Sequence, residues 1–268
     1  MVSPAPRLNG SQSTLHKVLS KAQLEAYWRD GFVIVPGAFD ATFLQTTLHA
    51  INQLARLARG LQETCVRRGT QFVLSHTAHG EQRIDRIVGV GGIQPVLGQL
   101  GQHATLVGIA TQILRSTKVT QLINQVHYKF PGDDVAFEWH QDSLHRRYGT
   151  EYWTDVNGTG SFVETIAAID PMTLENGPIY VIPGSHQGGH IAVDPHTKSL
   201  PASKTRMDDA VPVLLGAGDL LVMGPYTIHC SQPNTGQTPR RTFLNGFACT
   251  GANRRIYPHV GTGLEILT

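Results

Sequence analysis

The sequence predicts a mainly β chain in which helices brace a closed or double-sheet core. Three observations lead there. After Lys118 the chain breaks into eight short β-rich runs, roughly 118–130, 135–140, 161–169, 178–183, 211–215, 219–223, 227–230 and 240–249, with Gly, Pro, Asn and Asp between them. Helical periodicity is confined to the part before Lys118. The length of 268 residues suits one barrel or sandwich and a sizeable core.

The elements follow in order. Residues 1–17 are Pro-, Ser- and Gln-rich without a period and read as a flexible tail, leaving 18–268 as a single domain. Ser20 with Gln23 three residues later is a capping box, opening a helix that Gly31 closes. Phe32-Val33-Ile34-Val35-Pro36 reads as a buried strand. Asp40 caps a second helix, in which Leu44, Leu48, Ile51, Leu54 and Leu57 or Ala58 recur near the helical period. Residues 71–74 and 86–90 read as short strands flanking a polar loop, 75–80. Gln94 to Ser116 reads as one helix with Leu97, Leu106, Ile109 and Ile113 on its apolar side. Two long interruptions, 143–160 and 186–209, divide the β region. Loops of that length are commonly lids or binding loops, and the first, carrying Tyr148, Tyr152 and Trp153, is the candidate substrate cover.

Composition excludes several classes. The net charge is +2 and no basic run resembles that of a nucleic-acid binder. Three cysteines, Cys65, Cys230 and Cys249, form neither a disulfide framework nor a ligand spacing and fit a reducing compartment. The N-terminus lacks a signal-peptide pattern, and no apolar run reaches membrane-spanning length. The expectation is a soluble, cytoplasmic protein with no membrane or nucleic-acid partner.

The chemistry centres on Phe137-Glu138-Trp139-His140-Gln141-Asp142. Alternate residues of a strand share a face, so His140 and Asp142 can aim at one point, and His229, after another apolar strand, offers a second imidazole. Two imidazoles and a carboxylate on one side of a metal suit Fe(II) that must also bind a co-substrate and O2. With 13 histidines in the chain, this pattern gains meaning only from its scaffold. Past His229 a turn leads to Arg240-Arg241, either of which can grip a carboxylate in two-pronged fashion; neighbours on a strand face opposite ways, and spacing alone does not choose between them. On the run 121–130, Gln121, Ile123, Gln125, His127 and Lys129 share one face, too polar for a core wall and suited to a wet cavity.

Four segments then carry a resemblance to the phytanoyl-CoA dioxygenase-like Fe(II)/2-oxoglutarate oxygenases. They are Leu24 to Pro36, Glu138 to Asp142, Asn176-Gly177-Pro178-Ile179-Tyr180-Val181-Ile182-Pro183-Gly184-Ser185-His186, and Gly218 through His229 to Arg241. The resemblance implies a double-stranded β-helix, or jelly roll, with His140, Asp142 and His229 as iron ligands. It implies that Arg240, eleven residues past His229, holds the side-chain carboxylate of 2-oxoglutarate, with His127, Lys129, Gln125 and Ser231 as further co-substrate contacts. Where some relatives have a tryptophan, this chain has Ile166, Ala167 and Ala168. The implied reaction is hydroxylation of an unactivated C–H bond with release of succinate and CO2; desaturation, ring closure and epoxidation stay open, and the carboxylate of Asp142 stands against halogenation. A cupin-type metal isomerase and a non-catalytic jelly-roll binding module are the alternatives; Arg240 argues against the first and the intact ligand set against the second. The aromatic loop after the motif suggests Gln141, His145, Tyr152 and Trp153 as substrate contacts, and a small polar or amphipathic molecule, such as an amino-acid derivative or an intermediate of secondary metabolism.

Overall fold

Ser20 caps α1 (Lys21–Asp30) as its sequence requires: its hydroxyl accepts from the Gln23 backbone, the Gln23 side chain accepts from the Ser20 backbone, and Gly31 ends the helix at φ 87°. The computed structural model describes residues 18–77, 79–193 and 199–267, so the expected tail 1–17 lies outside the described residues. After β1 (Phe32–Val35), the Asp40 carboxylate accepts from the Phe43 backbone to start α2 (Ala41–Arg59). Of its two expected alternatives Ala58 is the buried one, and Leu57 is 46% exposed. Strands β2 (Cys65–Arg67), β3 (Thr70–His76) and β4 (Gln82–Val88) form a meander, so the loop expected at 75–80 begins two residues later.

The expected helix over 94–116 is two: α3 (Pro95–Leu100) and α4 (Ala104–Leu114). Gly101 explains the break. A Cβ there would meet Asn245 Oδ1 at 2.5 Å and Asn124 Nδ2 at 2.6 Å, so the chain touches the sheet at that point. His103 then recaps α4, its ring nitrogen accepting from the Thr105 backbone.

The remaining elements are β5 (Lys118–Lys129), β6 (Phe137–His140), α5 (Asp142–His145), β7 (Phe162–Ala168), β8 (Ile179–Val181), β9 (Val211–Val213), β10 (Leu220–Met223), β11 (His229–Ser231), β12 (Arg240–Cys249) and β13 (Leu264–Leu267). The large sheet runs β1-β10-β7-β12-β5-β4-β3-β2, with β13 also on β5; the small sheet runs β6-β11-β8-β9. Every ladder among the described residues is antiparallel. From β5 to β8 successive strands alternate between the sheets, and from β9 to β12 they alternate again, which winds the chain into the double-stranded β-helix. The outer face of the large sheet packs on α2, α3 and α4, where Tyr128 Oη donates to the Ile51 carbonyl at 2.9 Å. Its inner face meets the small sheet through a second core that includes Ile166, Val181, Leu221 and Leu244.

One face assignment from the sequence fails. A register shift between Gly246 and Phe247, opposite Ile123 and Gln121, turns Gln121 away from the inner face. Gln121 and Asn124 both donate to Asn245 Oδ1, at 3.0 and 2.9 Å, on the helix side. A β-bulge of this kind changes which residues share a face and takes Gln121 out of the expected set, of which Ile123, Gln125 and His127 reach the cavity. No described helix is long and apolar enough to cross a membrane.

Candidate metal centre and its cavity

His140 and His229 are cross-strand partners in β6 and β11, their ring centroids 4.2 Å apart. Asp142 follows, not in the strand but as the first residue of α5; the extended backbone of Gln141 carries the strand's alternation one residue further and keeps the carboxylate on the same side. One ligand atom from each of His140, Asp142 and His229 lies within 4.8 Å of the others.

The imidazoles are oriented by their own strands. His140 Nδ1 lies 2.6 Å from the Glu138 carbonyl, and His229 Nδ1 lies 2.9 Å from the Thr227 carbonyl. A carbonyl only accepts, so each Nδ1 donates and each Nε2 keeps a free lone pair. Burial, then the neighbouring His229, push His140 down to about 3, which holds it neutral. Burial alone would raise the Asp142 carboxyl, but the fields of His229, Arg146 and His140 outweigh it and the net shift is downward. Its Oδ2 is buried without a hydrogen-bond partner. Two imidazole nitrogens and an unpaired carboxylate oxygen are the set a divalent first-row cation requires.

The signature Asn176–His186 braces this centre from behind. Gly184 N donates to the Asp30 carbonyl, Ser185 Oγ accepts from Ile228 N at 2.9 Å, and His186 Nε2 meets the Trp28 carbonyl at 3.0 Å. Thr227 Oγ1 donates to the Gly31 carbonyl at 2.6 Å, which joins the end of α1 to the segment that presents His229.

The three donors open into a cavity of about 400 Å³ between the sheets. Gln125, His127, Ser231 and Arg240 line it. Arg240 is 1% exposed and its Nε has no partner; burial lowers the guanidinium to about 10. His127 Nε2 is also unpartnered, and burial, then the Arg86 guanidinium, push that ring well below its ordinary value. Arg241 points the opposite way, bound at 2.6 Å through both Nε and Nη2 to Asp170 and at 2.8 Å to Asn52 Oδ1. Of the residues in the expected tryptophan position, Ile166 faces the cavity and Ala167 the helices.

Four of the expected contacts do not line the cavity. Lys129 is fully buried and its Nζ donates to the Gln232 carbonyl. Gln141 is 1% exposed: its amide donates to the Gly189 and Tyr226 carbonyls and accepts from Ile191 N, fastening the segment after the signature. Trp153 is buried, stacked on Tyr148 at 4.7 Å, with Nε1 donating to the Gly160 carbonyl. Tyr152 is 45% exposed. Among the suggested substrate contacts only His145 reaches the cavity, and burial holds it down to about 4. The expected cover is therefore a packed wall. Trp153 bridges to Asn253, and Thr154 N donates to the Ala252 carbonyl.

Sequence reasoning missed Arg146 and Glu164, and also Arg255 and Tyr257 near the C-terminus, all of which line the cavity. A signal for Glu164 was present: it is the one charged residue in Phe162-Val163-Glu164-Thr165-Ile166-Ala167-Ala168, a strand buried throughout.

Lys129 supplies a pH test. Burial, then Arg240, push its ammonium down to about 6 from 10.5. Between those values the unfolded chain holds a proton that the folded chain lacks, so stability rises with pH, by at most about 1.4 kcal/mol per pH unit. Lys129→Met removes that contribution. Urea midpoints should favour the variant most below pH 6 and lose that advantage as pH climbs toward 10.5; parallel curves would contradict the depressed value.

Comparison with known proteins places this geometry. The profile of the family described as phytanoyl-CoA dioxygenase (PhyH) matches residues 27–242. The chain is 28% identical to ectoine dioxygenase of Halomonas elongata, over 83% of this chain and 68% of that one. It is 27% identical to L-proline trans-4-hydroxylase of Streptomyces griseoviridis, over 61% of this chain and 54% of that one. The crystal structure of EctD from S. alaskensis with 2-oxoglutarate and 5-hydroxyectoine superposes with a TM-score of 0.68 at 22% identity, covering 97% of this chain and 86% of that one. That likeness shows the shared jelly-roll fold.

Proposed function

The chain belongs to the phytanoyl-CoA dioxygenase family, and from the premise that it is an iron- and 2-oxoglutarate-dependent dioxygenase we propose that it hydroxylates an unactivated C–H bond of a small amino-acid derivative or natural-product intermediate. The observation that carries this reading is the convergence of His140, Asp142 and His229, two Nε2 lone pairs and an unpaired carboxylate oxygen, on one point inside a cavity that also holds the unpaired Arg240. Bound ferrous iron with 2-oxoglutarate and O2 supplies the oxidation, with succinate and CO2 as co-products.

The residues of the chain do the positioning. His140, Asp142 and His229 would hold the metal, and Arg240 would receive the distal carboxylate of 2-oxoglutarate through a charge-assisted two-pronged bond. His127, Gln125 and Ser231 line the same cavity as Arg240 and the metal donors and would fix the rest of that molecule. Lys129, the cross-strand partner of Arg240, acts from behind, its Nζ donating to the Gln232 carbonyl. The apolar inner core around Ile166 and Leu244 keeps water from the reacting carbon. Asp142, as a carboxylate, fills the position a halide would need, which directs the site to oxygen insertion. Desaturation, ring closure and epoxidation at the same centre are distinguished by product mass, as oxygen gained against hydrogen lost. The relatives named as acting on ectoine and L-proline support a compact amino-acid derivative as substrate.

The test is anaerobic addition of Fe(II) and 2-oxoglutarate, which should produce a charge-transfer absorbance, followed by succinate release on admitting O2 with a panel of amino-acid derivatives. Folded protein that binds Fe(II) yet shows no such band would remove the reading.

A further inference from the structure

Away from Arg240 the cavity is lined by a second set of buried polar side chains, beyond the three candidate metal donors. Glu164 is 3% exposed, and both its carboxylate oxygens lack hydrogen-bond partners. Arg146 is 5% exposed, with Nε and Nη1 unpartnered, and Tyr257 Oη is unpartnered as well. All three line the cavity. In register Glu164 opposes Gly246, while Arg240 begins the same strand, a separation on the order of 20 Å at the rise of a strand. The glycine makes room for the acid: a Cβ at 246 would meet Glu164 Oε2 at 2.8 Å. The Arg146 guanidinium is held between two rings, its Cζ 5.0 Å from the centre of Phe162 and 5.2 Å from that of Tyr257. Glu164 and Arg146 therefore share one end of the cavity without bonding each other.

Burial, then the Asp142 carboxylate, push the Glu164 carboxyl well above its ordinary value, with the Arg146 guanidinium opposing, so holding it as a carboxylate calls for a cation placed on it. A buried guanidinium without a hydrogen-bond partner is likewise costly, and a counter-charge offsets that cost better than a neutral dipole does. A carboxylate accepts and a guanidinium only donates. The occupant must therefore bring a donor to Glu164 and an acceptor to Arg146, and a formal charge on each relieves both burials. We propose that this end of the cavity is the subsite for a zwitterionic substrate, whose protonated amine or amidine nitrogen sits on Glu164 and whose carboxylate sits on Arg146 with Tyr257 Oη as an additional donor. The substrate's carbon skeleton then spans from these two anchors toward the metal. The proposal rests on the oxygenase reading and adds the charge pattern of the substrate to it.

The experiment is calorimetric titration of the anaerobic iron–2-oxoglutarate complex. The probes are L-proline, L-threonine, L-arginine and ectoine, the N-acetyl and carboxamide derivatives of the three amino acids, and sorbitol as a neutral polyol. At least one zwitterion should bind about tenfold or more tighter than sorbitol and, for an amino acid, than both of its derivatives. Glu164→Gln should cost that zwitterion about tenfold in affinity and leave the N-acetyl derivative within about twofold. Arg146→Lys should weaken zwitterion and N-acetyl derivative together and spare the carboxamide. Two outcomes overturn the subsite: a panel with no preference for zwitterions, or a Glu164→Gln variant whose melting temperature moves while its zwitterion-to-N-acetyl ratio does not, the mark of a structural charge pair. The charge-transfer band of the unsubstituted protein is read in the same samples. Its absence would strike the oxygenase reading, whereas its presence without discrimination would strike only the zwitterion.

Discussion

Replacing His140 with alanine should abolish the ferrous–2-oxoglutarate absorbance and lower turnover by on the order of 10³-fold, beyond the roughly 10–100-fold cost of changing a ligand's hydrogen-bond partner. His140 would supply one of the three donors that converge among the described residues, and its cross-strand partner His229 cannot serve in its place, because its ring is fixed by the Thr227 carbonyl. The fold should survive. His140 ends a four-residue strand, and its Nδ1 bond goes to the backbone of its own strand and ties no second element. Its ring is pushed toward neutrality by burial, so its removal leaves no charge stranded. Circular dichroism and melting temperature close to the parent's, with the band gone, is the expected result. A band that persists in the alanine variant would mean that the metal sits elsewhere.

Arg240→Ala and Arg241→Ala should separate co-substrate binding from stability. Truncating one partner of a buried, hydrogen-bonded charge pair costs about 2–5 kcal/mol, so Arg240→Ala should raise the KM for 2-oxoglutarate on the order of 10²-fold or more. Arg241 is committed to Asp170 and Asn52 on the far side of the strand. Its loss should leave that KM within about threefold and lower unfolding free energy by about 1–3 kcal/mol, because Asp170 loses a charged partner at two oxygens. Steady-state kinetics against 2-oxoglutarate, together with urea unfolding, checks both. Equal or reversed effects would place the register of β12 one residue off.

The sequence carries the fold wherever local chemistry and tertiary environment agree. Ser20 and Asp40 cap the helices they precede, and the eight strands lie between their turn residues, because each depends on neighbours within a few positions. The convergence of His140, Asp142 and His229 was legible because they stand at strand ends, where alternation still applies. What escaped depends on distant contacts. Gly101 breaks a continuous helical period only because three amides of the sheet crowd it from strands far along the chain. Gln121 leaves its face because of a bulge that no local pattern marks. Gln141 lies between two expected ligands, yet its amide is spent on the backbone of residues 189–191 and Tyr226. Arg255 and Tyr257 enter the cavity from a segment with no periodicity. Spacing alone leaves Arg240 and Arg241 level; the family resemblance favours Arg240, and the contacts of Arg241 with Asp170 and Asn52 show that Arg241 faces the other way.

The backbone carbonyls of Glu138 and Thr227 have a consequence for metal selection. They set both imidazoles in the ligating tautomer, and neither imidazoles nor a carboxylate are donors that favour iron over its neighbours in the first row. The ordinary affinity series then applies, in which ferrous ion ranks below cobalt, nickel, copper and zinc. Protein recovered from cells should carry a mixture of these ions, and the fraction active will track the iron supply of the culture more closely than the amount of polypeptide made.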